Sequence, residues 1–86
     1  DLKVGGSLDL QDTPITSLPA GLKVGWDLDL SYTPIRSLPA GLTVGRNLNL
    51  SGTPITSLPA DLKVGGDIHI PEGFDKSKVP EHLRVN

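Results

Sequence analysis

The sequence predicts a solenoid, a stack of short parallel strands with little or no α-helix, and three observations carry that prediction. Leu-Pro recurs at Leu18, Leu38 and Leu58, a period of twenty residues, and self-similarity on this scale marks stacked repeats. Each copy holds an x-L-x-L piece, from Ser7 to Leu10, Asp27 to Leu30, Asn47 to Leu50 and Asp67 to Ile70. Its alternation with period two is strand patterning. Proline occurs twice in every twenty residues, in Thr-Pro-Ile and Leu-Pro-Ala. Each proline removes a backbone donor and disfavours helix at the residue before it.

Taken in order, residues 1–17 are a partial copy running from Leu2 through LDLQDTPITS. Full copies follow at 18–37, 38–57 and 58–78, the last lengthened by one residue in PEGFDKSK. Residues 79–86 read as the front of one more copy and a C-terminal cap, with Leu83 and Val85 replacing Leu62 and Val64. The whole chain, 1–86, is one repeat domain. Each copy is expected to make one strand and then an extended, proline-containing return. In the copy 38–57 the apolar positions are Leu38, Leu42, Val44, Leu48, Leu50 and Ile55. Six side chains cannot offset the entropy of ordering twenty residues, so the copies must stack, each Leu over its equivalent.

The two ends differ. The segment PEGFDKSKVPEHLRVN is charged, non-repetitive and holds Phe74, the only phenylalanine; it is expected to fold over the last strand. At the other end Leu2, Val4, Leu8 and Leu10 are expected to be exposed beside an open strand edge. The chain lacks an initiator Met and opens partway through a repeat, so it reads as a fragment or a processed chain. Either further repeats precede it, or two chains meet at that end as a homodimer.

Composition excludes several functions. Eight Lys and Arg against ten Asp and Glu give a net charge of −2, without the basic excess of a nucleic-acid binder. No apolar run approaches the roughly 18 residues of a membrane span, and the opening residues have no signal-peptide pattern. Cysteine is absent, which removes disulfides, thiolate metal sites and a thiol nucleophile but leaves the compartment open between secreted and cytoplasmic. His69 and His82 lack metal-ligand spacing, there is no G-x-S-x-G elbow, and Val-Gly-Gly lacks the Lys-Ser/Thr of a phosphate loop. An enzyme, a cofactor and a metal are therefore not expected. The row Thr13, Thr33, Thr53 suggests an ice-binding surface, but it is expected to face inward, and Arg36 interrupts the neighbouring row Thr16, Arg36, Thr56.

The pattern L-x-L-x-x-T-x-I-x-x-L-P, as in LDLSYTPIRSLP, resembles the leucine-rich repeat, in its short bacterial form with a twenty-residue period. The resemblance covers essentially the whole chain. It implies a leucine-rich-repeat solenoid, α/β by family but here mostly β and coil, with parallel strands on the concave side. It also implies a bacterial or phage origin, as in secreted effectors that recognise host proteins. Two departures stand out: Thr13, Thr33 and Thr53 replace the family's Asn, and Gly5, Gly25, Gly45 and Gly65 replace its first Leu. A Thr hydroxyl at a stacked site is expected to form a ladder with neighbouring backbone.

Copies 18–37 and 38–57 agree at fourteen of twenty positions. Four of the six differences fall where the resemblance places the concave face: Trp26/Arg46, Asp27/Asn47, Asp29/Asn49 and Tyr32/Gly52. Free drift of surface positions accounts for such a pattern as well as recognition does. The chemistry favours recognition, because Trp, Tyr and Arg are enriched at binding hot spots. The candidate partner-binding residues are thus Trp26, Tyr32 and Arg46 as anchors, with Asp27, Asp29, Asn47 and Asn49 setting polarity. Trp26 and Arg46 are expected to stack as a cation–π pair. Stacked Asp9 and Asp29 repel at strand spacing, which a basic partner or a cation would relieve; a solvated acidic face that deters aggregation is the simpler reading. The expected function is recognition of a protein partner, with assembly through the open N-terminal end as the alternative.

Overall fold

The computed structural model describes residues 2–85 and makes a parallel β-solenoid of about three turns. The first coil contributes β1 (Lys3–Val4) and β2 (Leu8–Asp9), and the second β3 (Lys23–Val24) and β4 (Leu28–Asp29). The third contributes β5 (Thr43–Val44) and β6 (Leu48–Asn49), and the fourth β7 (Lys63–Val64) and β8 (Asp67–His69). A 3-10 turn at Lys76–Lys78 and β9 (Arg84–Val85) complete it, with no α-helix among the described residues. The strands build two parallel sheets, β1-β3-β5-β7 and β2-β4-β6-β8-β9. Between the four coils the register is twenty residues throughout, pairing Val4 with Val24, Val24 with Val44, and Leu28 with Leu48.

One strand per copy was the expectation; the structure has two. The first sheet comes from Lys3–Val4 and its equivalents, inside the stretch read as an extended return. Its cause is the register itself. Once coils stack at strand spacing, any extended backbone on their perimeter finds its equivalent beside it and must satisfy its N–H and C=O groups there. The alternation Leu22-Lys23-Val24 carried the signal in period-two form.

The glycines Gly25, Gly45 and Gly65 follow from the same closeness. Gly25 donates its N–H to the Val4 carbonyl at 2.7 Å, Gly45 to Val24 at 2.8 Å and Gly65 to Val44 at 2.9 Å. A Cβ on Gly25 would lie 2.5 Å from the Gly5 carbonyl oxygen, and Cβ atoms on Gly45 and Gly65 would come closer still to the carbonyls of the preceding coil. Only a residue without a side chain lets the coils approach to bonding distance at this corner.

The core runs up the middle of the stack. Leu38, Leu42, Val44, Leu48, Leu50 and Ile55 are all buried, as are their equivalents Leu22, Val24, Leu28, Leu30 and Ile35. Thr33 and Thr53 are buried too, which places the threonine row inward. No inter-coil threonine ladder forms. Thr13, Thr33 and Thr53 each donate their hydroxyl to the carbonyl three residues back in their own coil, at 2.7, 2.8 and 2.7 Å. The short side chain reaches its own turn and not the next level, so it closes the bend after the second strand.

The ends depart from the regular pattern. In the first coil Leu2 is 56% exposed, while Val4, Leu8 and Leu10 are half-buried, so the expected open face is centred on Leu2. At the far end Phe74 packs against the core beside a turn capped by Asp75, which accepts from the Ser77 N–H and hydroxyl. Those two bonds hold the Asp75 carboxyl below its ordinary value. Arg84–Val85, although the repeat matches Val85 to Val64 of β7, does not extend the first sheet. It joins the second, with Val85 beside Ile68. The Leu62 carbonyl, whose equivalents Leu2, Leu22 and Leu42 accept from a backbone N–H of the following coil, here accepts from His82 Nε2 at 2.7 Å. A side chain satisfies that acceptor, and the backbone is released toward β8.

The corner glycines give a direct test. Gly45→Ala is expected to lower unfolding stability in urea by about 2 kcal/mol through overpacking against backbone. Gly5→Ala, whose Cβ would meet nothing within 4 Å, is expected to change it by less than about 0.5 kcal/mol. Equal effects of the two substitutions would contradict this account of the close approach.

Candidate functional site

The second sheet and its two flanking rows hold every residue singled out by the comparison of copies. The row entering the strands reads Gly6, Trp26, Arg46, Gly66, and its backbones are linked from coil to coil: the Trp26 N–H donates to Gly6, Arg46 to Trp26 and Gly66 to Arg46. That linkage puts the Trp26 and Arg46 side chains side by side. The Arg46 guanidinium lies over the indole, 5.2 Å from the ring centroid, within the range of a cation–π contact. Trp26 remains 53% exposed. Arg46 covers the ring from the third-coil side, while on the first-coil side the row position is Gly6, which has no side chain.

The next row is Ser7, Asp27, Asn47, Asp67, and it is a ladder of side-chain oxygens. Ser7 Oγ accepts from the Asp27 N–H at 3.3 Å, Asp27 Oδ1 from Asn47 at 3.0 Å, and Asn47 Oδ1 from Asp67 at 2.9 Å. Asp27 and Asn47 thus join coils together while remaining exposed. Asp29 and Asn49 lie further along, half-buried, and each ends its strand with an Asx turn. Asp29 Oδ1 accepts from the Ser31 N–H at 3.0 Å and the Ser31 hydroxyl at 2.6 Å; Asn49 Oδ1 accepts from the Ser51 N–H at 3.0 Å. Ser31 is buried by this turn.

Tyr32 stands where the chain leaves the strand. Its φ is +58°, the left-handed region, as are those of Asp12 at +60° and Gly52 at +71° in the equivalent slots. Asp and Gly visit that region readily; an aromatic side chain does so at a cost of about 1–2 kcal/mol. Tyr32 is nevertheless 64% exposed, so burial does not repay the strain. Its ring leans over the coil above: a Cβ on Gly52 would lie 2.5 Å from Tyr32 Cδ1 and 2.8 Å from Cε1. The Tyr32/Gly52 difference is therefore one feature, a ring and the space it needs, and Trp26/Arg46 is another, a ring and its cation.

Of the predicted residues, Trp26 and Arg46 are in contact, and Tyr32 lies at the opposite end of β4. Asp27, Asp29, Asn47 and Asn49 lie between, each with one side-chain oxygen already committed to the frame. Sequence comparison met Gly52 only as the counterpart of Tyr32, not as the space that ring needs, and passed over Gly6 beside Trp26; the signal at both was a slot occupied by an aromatic in one copy and Gly in the adjacent one. Charge also divides by sheet. The first sheet turns Lys3, Lys23 and Lys63 outward, and the second presents Asp9, Asp27 and Asp29. A groove of about 290 Å³ lies elsewhere, between Thr53–Thr56 and the cap around Phe74. Among the described residues no group of three or more His, Asp or Glu is placed to hold a metal ion, and no helix is long and apolar enough to cross a membrane.

Two outcomes are expected. Tyr32→Asn should raise stability by up to about 1 kcal/mol in thermal or urea unfolding, since Asn tolerates the left-handed backbone; a clear loss would mean the ring contact outweighs the strain. A double-mutant cycle on Trp26→Ala and Arg46→Ala should return a coupling of about 0.5–1 kcal/mol, and none if the two rows do not stack as described. No protein-family model matches the chain, nor does any curated protein or solved structure.

Proposed function

We propose that this solenoid is a protein-binding module of the leucine-rich-repeat type, which meets its partner on the outer face of the second sheet around Trp26, Tyr32 and Arg46. The observation that carries the reading is Tyr32. It keeps a large exposed ring on a strained backbone in a slot where the third coil is content with Gly52. Strain retained at the surface without burial is the kind that accompanies a working site. Trp26, the other large exposed aromatic of this face, sits on the same coil. The pair with Arg46 supplies the residue types that anchor interfaces. Asp27, Asp29, Asn47 and Asn49 hold the frame with one oxygen and leave their remaining polar atoms to set the polarity of the face.

The test is affinity capture with the wild-type chain beside a Trp26→Gly/Tyr32→Gly variant, both changes being ones that neighbouring coils already accommodate. The partner should be retained by the wild type and by Lys23→Thr, the residue the third coil has at that position, and lost by the double variant. Equal retention by all three would remove the second-sheet face from the reading.

A second reading rests on Leu2, the one large aliphatic side chain among the described residues that is more than half exposed. Association through the first coil would bury it with Val4, Leu8 and Leu10. Sizing at rising concentration distinguishes the two: a dimer abolished by Leu2→Ser supports assembly, and a monomer at all concentrations argues against it.

A further inference from the structure

Resting on the protein-binding reading, we infer that the segment this face takes is a basic, extended peptide, with a Lys or Arg side chain laid on the open side of the Trp26 ring. The second sheet pairs Asp9 with Asp29 in register, two short carboxylates one strand spacing apart, and Asp27 stands in the next row. Their hydrogen bonds go to neutral groups: Asp9 to the N–H and amide of Gln11, Asp27 to the Asn47 N–H, and Asp29 to Ser31. None of these bonds cancels a charge. On the first sheet Lys3 and Lys23 are also paired in register, but long lysine stems can spread their ammonium groups into water. Aspartates held by Asx turns cannot spread, so their repulsion stays in the face.

The aromatic geometry selects how a cation would sit. Arg46 occupies one side of the indole, and the other side faces Gly6, around whose missing Cβ there is nothing within 4 Å. A cation entering over Gly6 meets a π-face and lies toward the first and second coils, which carry Asp9, Asp27 and Asp29. Arg46 alone, on the far side, is the intrinsic cation of the second and third coils in this face. An acidic segment would face three aspartates, and a neutral one would leave their mutual repulsion unrelieved.

The molecule supplies its own control substitutions. Asn47 already performs the ladder bond of Asp27, and Asn49 already makes the turn of Asp29. Asp27→Asn and Asp29→Asn therefore remove charge while leaving the frame as the third coil builds it. Trp26→Gly reproduces Gly6 and Gly66.

The experiment measures fluorescence anisotropy of labelled peptides alternating Ser with Lys, Gln or Glu against the full chain. The Lys peptide is expected to bind about tenfold tighter than the Gln peptide at low salt and to weaken as salt screens the face, while the Glu peptide does not bind. The Asp27→Asn/Asp29→Asn variant should lose about fivefold in affinity for the Lys peptide, and Trp26→Gly about threefold, with circular dichroism unchanged in both. Equal binding of the Lys and Gln peptides, absence of binding by any of them, or Lys-peptide binding that Trp26→Gly leaves intact would each overturn the inference, the last because it would be diffuse attraction without the ring. A partner captured through this face despite such a result leaves the protein-binding reading standing, so the two fail separately.

Discussion

The hydrogen bond from Gly25, Gly45 and Gly65 to the valine carbonyl one coil below is the constraint on which the remaining structure rests. It fixes the separation of coils, and that separation then dictates everything stacked on it. Leucines meet leucines in the middle because their backbones are one rung apart. Extended segments on both sides become sheets because their amides have nowhere else to bond. A side chain at the corner would hold the coils apart there, and the loss would pass to every rung on either side. Twenty residues is the length of path that returns the chain to this corner, and two prolines in each path stop it from shortening into helix.

Much of this was legible in the sequence, and for a reason that repeats make plain. Period, the position of the second-sheet strands and the six buried positions of the copy 38–57 all follow from apolar spacing, which stacking translates directly into contact. The first sheet was missed because Lys23–Val24 is too short to declare itself alone; it becomes a strand only through its neighbours. Val85 was misplaced for a related reason. Matching Leu83 and Val85 to Leu62 and Val64 assumes that the last segment still obeys the period, but His82 takes over an acceptor that a backbone N–H holds elsewhere.

The candidate face was legible as a set of differences and only in part as a set of relations. Equivalent positions in adjacent copies foretold the Trp26–Arg46 stack, but listing Tyr32 as a variable position hides the fact that its ring and Gly52 form one pair spanning two coils. Asp27 and Asn47 show the opposite lesson. They differ in charge yet do the same structural work, since either side chain offers the one oxygen the ladder requires. Shape and hydrogen bonding at those positions belong to the frame, and only the charge is left to vary with function. A solenoid of this kind separates the two at atomic scale: one oxygen of a side chain for the stack, the other atoms for the outside.

Tyr32 leaning over Gly52 also gives the stack a direction. The left-handed slots at this bend read Asp12, Tyr32, Gly52 and, past the inserted residue, Gly73 up the chain, and the ring of Tyr32 has room because the coil above it offers glycine. Replacing the third coil by a second copy of the second would keep every buried leucine and both sheets, yet set one tyrosine beneath another, where even a Cβ would lie 2.5 Å from the ring. Coils that are interchangeable to the core are thus ordered by the surface. A duplication or loss of one twenty-residue unit, harmless to the interior, would be sensed first at this ring.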